Sequence, residues 1–293
     1  MNSIRNLLSS SPSGFYGNYC ELGAYDWLQR QGALFHAQTP VTDKDVLNPN
    51  GCILDGRFDI IMAYFDIKAM GFHAYVAEQF RHRLETKLPG FHVTIEGPMD
   101  VAAKDIETHA FGIIDRLAQS LKAGGVQSIP QLGWTLRAGP PQKITTAVHT
   151  TDPYRLALEN RHFPFLDAGQ FTRHTPFMLI LPYAAQFNHA LFTNFAQSTV
   201  VTLRSIARRA FIQLTSDTTP AQQFDKKVPS GILLSEASRL LSALLFINID
   251  NDEAALFLNP RATHPLTRYH VLQIFDFAPP LSMMIDDFIH DDY

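Results

Sequence analysis

The stretch CILDGRFDIIMAYFDIKAMGF, Cys52 to Phe72, decides how this chain is read. It is apolar enough to be buried, yet it carries Asp55, Asp59, Asp66 and Lys68. In a half-buried strand, side chains alternate between the two faces, so charges in such a run point to water or into a site. An antiparallel hairpin turning at Met62-Ala63, with residues 53–61 against 64–70, sets Asp59 opposite Asp66 and Arg57 opposite Lys68. Asp66 and Lys68, two apart along one strand, then share a face. Phe58, Ile60, Phe65 and Ile67 fall on the other, as a core would require. Carboxylates about 5 Å apart across a sheet repel unless neutralised. Mg²⁺, which takes one or two carboxylates together with water or phosphate, neutralises them. A competing reading puts the turn at Asp55-Gly56 and makes residues 57–69 one strand. Asp59 and Asp66 then point to opposite faces and no site forms.

Outward from this stretch, strands alternate with helices. Residues 14–32 carry Tyr19, Leu22, Tyr25 and Leu28 at helical spacing and stop at Gly32, and ALFHAQTP (33–40) reads as a strand. FHAYVAEQFRHRLETKLPG (72–90) repeats Val76, Phe80, Leu84 and Leu88, a helix ending at Pro89-Gly90. FHVTIEG (91–97) alternates as a strand, and residues 105–125 return to helix before Gly124-Gly125. Gly139-Pro140-Pro141 is the strongest internal punctuation. Beyond it, residues 152–160 and 232–249 read as helices, 188–214 as a long helix or a pair, and TPFMLILPY (175–183) as a buried strand. The expectation is a mixed α/β architecture, with one domain over 1–150 and a mostly helical region over 151–293 that recognises a substrate or joins two subunits.

Composition narrows the function. The 293 residues are 46% hydrophobic, with 22 Phe, enough for a full core. Charged residues make up 18%, below the roughly 25% usual in soluble domains, which leaves room for a homodimer. A formal charge of −4 argues against coating nucleic acid or membrane with bulk positive charge. Cys20 and Cys52 form neither a disulfide framework nor a zinc pattern, and no segment reads as a signal peptide or membrane span, so a cytoplasmic location is expected. Phosphate-binding glycine loops, dinucleotide fingerprints, paired-histidine zinc helices and the serine elbow are absent. His73, His82 and His92 have no ligand spacing with a carboxylate.

Helix with Glu21, strand, GRFDI, YFDIK, helix HAYVAEQF and strand HVTIE together resemble the core of the PD-(D/E)xK nuclease superfamily, over roughly residues 15–97. The resemblance implies a restriction-endonuclease-like mixed β-sheet flanked by helices, and a metal-dependent phosphodiester hydrolase of restriction, repair or defence type. Its metal ligands match Asp59, or less well Asp55, together with Asp66. Lys68 matches the lysine that orients or activates water, and Glu21 the acid of the first helix. Mg²⁺ is the implied ion, with Mn²⁺ as an alternative, and DNA the first implied substrate. The motif's proline is replaced by Phe58, and its second acid is Asp66 instead of the commoner glutamate. Arg81, Arg83 and Lys87, and Arg204, Arg208 and Arg209, are the basic clusters expected to meet phosphates, with Gln79 a further candidate. The other class that fits is a non-catalytic α/β binding or assembly protein whose aspartates are structural.

Overall fold

The structure, a computed structural model, describes residues 12–70, 73–97, 101, 103–140, 165, 168–184, 199–221 and 232–291. The helix expected at 152–160 and the first part of that expected at 188–214 lie outside the described residues. In chain order the helices are α1 (Pro12–Arg30), α2 (His73–Thr86), α3 (Ala103–His109), α4 (Ile114–Lys122), α5 (Thr199–Phe211), α6 (Leu234–Leu240) and α7 (Arg268–Ile274). The strands are β1 (Phe35–Val41), β2 (Cys52–Phe58), β3 (Ala63–Ile67), β4 (His92–Glu96), β5 (Gln127–Ile129), β6 (Trp134–Gly139), β7 (Phe177–Tyr183), β8 (Ala243–Asn248), β9 (Ala254–Leu258) and β10 (Met283–Asp286). Among the described residues, no helix is long and apolar enough to cross a membrane.

The chain divides into two compact units, one centred on residues 71–150, the other assembled from 19–70, 151–185 and 194–293. In the first, β4, β6 and β5 form a three-stranded antiparallel sheet in that order. The apolar stripe of α2 is buried at Val76, Phe80 and Leu84, with Phe80 against Trp134 and Phe111.

The second unit is a mixed seven-stranded sheet in the order β1-β2-β3-β7-β8-β9-β10, with flanking helices. β1, β2 and β3 are an antiparallel meander, while β7 runs parallel to β3 and β8 parallel to β7. β7 and β8 are buried along their whole length, as continuous apolar runs in parallel strands require. On one side of the sheet, Ala24, Trp27 and Leu28 of α1 join Phe58, Phe65, Ile67, Met178, Leu245 and Phe275 in a single core. Gly32, at φ 75°, ends α1 in the left-handed conformation that glycine reaches without strain.

Two sequence expectations change here. The region beyond residue 150 is not mostly helical in its described part, because it supplies β7 to β10, and the seven-stranded sheet therefore draws on both sides of Gly139-Pro140-Pro141. Residues 232–249 are not one helix: α6 ends at Leu240 and β8 begins at Ala243. A short apolar run satisfies helical and buried-strand patterns equally, and burial between neighbouring strands settled it. The strand HVTIE, β4, lies in the three-stranded sheet, so the neighbour of β3 is β7.

Candidate functional site

The hairpin of β2 and β3 turns through four residues, Asp59 to Met62, with Met62 at φ 51°. Its register pairs Phe58 with Ala63, Arg57 with Tyr64 and Gly56 with Phe65. The next step along the two strands brings Asp55 opposite Asp66. The expected partnership of Asp59 and Asp66 is therefore corrected: the partner of Asp66 moves from Asp59 to Asp55. The displacement is even, so the faces are unchanged and only the residue at the site differs. Asp59 sits in the turn beside His36, at 3.1 Å, and Arg57, at 3.7 Å. A turn at Asp55-Gly56 does not form, because both residues lie inside β2.

Past Gly56 and Phe65 the paired ladder ends. The Ile67 N–H donates instead to the Asp55 carboxylate, 2.6 Å from Oδ2. A side chain thus occupies the place of a backbone acceptor, as a buried N–H requires. The Lys68 N–H continues toward β7, donating to the Ile180 carbonyl at 2.9 Å.

Asp66 is buried, only 1% exposed. Lys68 Nζ lies 2.7 Å from its Oδ2 as an ion pair, and among the described residues Oδ1 has no hydrogen-bonding partner. Burial pushes the Asp66 carboxyl well above the usual carboxylate range. The Lys68 charge opposes that rise, while the Asp55 charge adds to it. Glu21, half-buried on α1, is raised by burial and by Asp55, and lowered by Lys68. The charges of Asp55 and Lys68 thus act on both Glu21 and Asp66, and all four residues belong to the second unit.

Three further groups border this patch and carry no motif. The Tyr25 hydroxyl donates to the Asp55 backbone carbonyl at 2.8 Å and accepts from Gln38 Nε2 at 3.3 Å. The Cys52 thiol is pushed up to about 11 by burial and the Asp66 charge, partly offset by Lys68. Helical spacing could have found Tyr25, which lies one turn beyond Glu21 on the same face of α1. Nothing in the sequence marks Gln38 or Cys52.

The basic clusters are largely engaged with the chain's own groups. Arg81 pairs with Glu78 and, at 2.7 Å, with Glu85, and Lys87 meets Asp115 at 3.0 Å. Arg83 lies over the Phe111 ring, and Gln79 is half-buried on the same helix, α2. Arg204 pairs with Asp286 at 2.6 Å and with Asp291, and stacks on Phe288. Arg208 meets Asp291 at 2.7 Å, and Arg209 donates to Gln213 at 3.1 Å. The free positive face read from LRSIARRAF is thus mostly spent on the C-terminal segment.

Among the described residues, no three His, Cys, Asp or Glu side chains converge closely enough to hold an ion by themselves. The donor set at Asp55 and Asp66 is two hard carboxylates, one with an orphaned buried oxygen. That suits an ion completing its shell with water and phosphate, as Mg²⁺ does, better than one enclosed by protein ligands. Comparison with protein-family models, curated proteins and solved structures finds no match.

Proposed function

We propose that this chain is a metal-dependent nuclease with Glu21, Asp55, Asp66 and Lys68 as its catalytic group. The observation that carries the reading is the meeting of Asp55 with a buried, ion-paired Asp66 where β2 and β3 part. Two neighbouring carboxylates in a half-dry site disfavour the fold unless a proton or cation compensates, and such groups gather at functional sites. The helix-strand-strand-strand order of α1, β1, β2 and β3 in one mixed sheet adds to the resemblance with PD-(D/E)xK nucleases.

In this reading, Asp55 and Asp66 hold Mg²⁺, with Mn²⁺ as the alternative, and Glu21 stands close enough to share the same charge field. When bound, the ion supplies Lewis-acid stabilisation of the charge that grows on a phosphodiester under attack. Lys68, anchored by Asp66, stabilises a developing negative charge at the attacked phosphate. The substrate is nucleic acid, DNA first. The test is cleavage of plasmid and single-stranded DNA and RNA with Mg²⁺, Mn²⁺ or EDTA, for the wild type and Lys68→Ala. Metal-dependent cutting that the variant loses supports the proposal. Equal inactivity of both proteins under every condition overturns it in favour of a non-catalytic binding or assembly role.

A further inference from the structure

We infer that Tyr25 is the positioning residue of this site, its hydroxyl fixing Asp55 beside Asp66 for a divalent cation, an inference that rests on the nuclease reading above. β1 pairs with β2 at Ala37 with Gly56 and at Thr39 with Leu54, but the pair between them, Gln38 with Asp55, is missing. Gln38 is the cause, since its φ of 52° turns its backbone out of the extended conformation. A non-glycine residue at positive φ is uncommon, and this one stands directly across from the carboxylate at issue. Strain of that kind persists where the surroundings hold it.

The broken pair leaves the Asp55 carbonyl to another donor. The Tyr25 hydroxyl takes that place at 2.8 Å, crossing from α1 to the strand, and the Gln38 amide steadies it from the other side at 3.3 Å. The ring is fixed too, stacked on Phe35 with centroids 5.8 Å apart and planes 12° from parallel. Asp55 is therefore clamped twice, its carbonyl by Tyr25 and its carboxylate by the Ile67 N–H. One hydrogen bond thus fixes the backbone that carries the Asp55 carboxylate, as outer groups do for metal ligands.

Tyr25→Phe tests this, because it keeps the ring and removes only the hydroxyl. Mn²⁺ binding would be measured by calorimetry and the melting temperature in EDTA. DNA cleavage would be followed against Mg²⁺ concentration. The expected result is about tenfold weaker Mn²⁺ binding, a matching rise in the Mg²⁺ needed for half-maximal cleavage, and an EDTA melting temperature near that of the wild type. If the wild type binds Mn²⁺ and cuts DNA and the variant does both equally well, the positioning role is overturned and the nuclease reading stands. A lower melting temperature with unchanged Mn²⁺ affinity overturns it as well, showing a structural bond only. Weaker Mn²⁺ binding in a chain that cuts no nucleic acid supports the positioning role and overturns the nuclease reading. A wild type that binds no Mn²⁺ overturns both.

Discussion

The ring of Phe65 lies where a side chain on Gly56 would be: a Cβ built there would meet the ring Cζ at 2.2 Å and the His36 carbonyl oxygen at 2.9 Å. This contact explains why Asp55-Gly56, a turn signal by composition, stays inside a strand. It also locks the register one step from Asp55 and Asp66. Gly56→Ala is expected to destabilise the fold by about 1–3 kcal/mol through overpacking, read from urea unfolding. Since the ring or the strand must move, Mn²⁺ binding by the folded variant should weaken as well.

Asp55 and Asp59 give the sharpest contrast within a single strand and its turn. The Asp55 carboxylate is held by the Ile67 N–H beside Asp66, whereas Asp59 lies in the turn beside His36 and Arg57. Asp55→Asn should lower metal-dependent cleavage by about a hundredfold or more, since outer groups around a metal site already cost 10- to 100-fold. Asp59→Asn should stay within about twofold of the wild type. Cleavage rates under saturating Mg²⁺, with Mn²⁺ calorimetry alongside, check both.

Much of this arrangement was legible before the fold was known, and the errors have physical causes. Alternation along FDIK required Asp66 and Lys68 to share a face. Which aspartate met them depended on loop length, and Met62 at positive φ, a residue with no turn preference, gave no warning of a four-residue turn. The even displacement spared the faces but not the residue. Arg204 and Arg208 looked like a substrate surface because their partner, Asp291, is distant in sequence. Helical spacing sets Tyr25 one turn from Glu21, but its bond across to β2 is of a kind that apolar periodicity does not report.

Asp66 gives the site a pH signature in the absence of metal. Its carboxyl is raised in the fold, from an ordinary 3.8 to about 8, chiefly by burial. The folded chain therefore keeps a proton that the unfolded chain releases. This contribution to stability is complete below the ordinary value and is lost as pH rises through the folded value. In EDTA, the melting temperature of the wild type should fall relative to that of Asp66→Asn between pH 5 and about 8.5, by several degrees. Mn²⁺ binding to the wild type should tighten over the same range, because the ligand must give up its proton. Parallel melting curves for the two proteins would count against a proton on Asp66.

Asp291 should show the opposite sign. Burial alone would raise its carboxyl, but hydrogen bonds from Arg204 and Arg208 outweigh burial and hold it below the ordinary carboxylate value. Its contribution is present above that ordinary value and is lost as pH falls through the folded one. Asp291→Asn should cost about 1–2 kcal/mol at pH 7, since charge-assisted hydrogen bonds are worth more than neutral ones and both arginines remain partly exposed to screening water. Urea unfolding at pH 7 and again near pH 3 checks this, because the difference from the wild type should shrink at the lower pH. Arg204→Ala, which removes the partner shared by Asp286, Asp291 and Phe288, should lower stability by a similar amount. The salt dependence of nucleic-acid binding should then stay as in the wild type, since a guanidinium held by two carboxylates releases few counterions from a phosphate backbone.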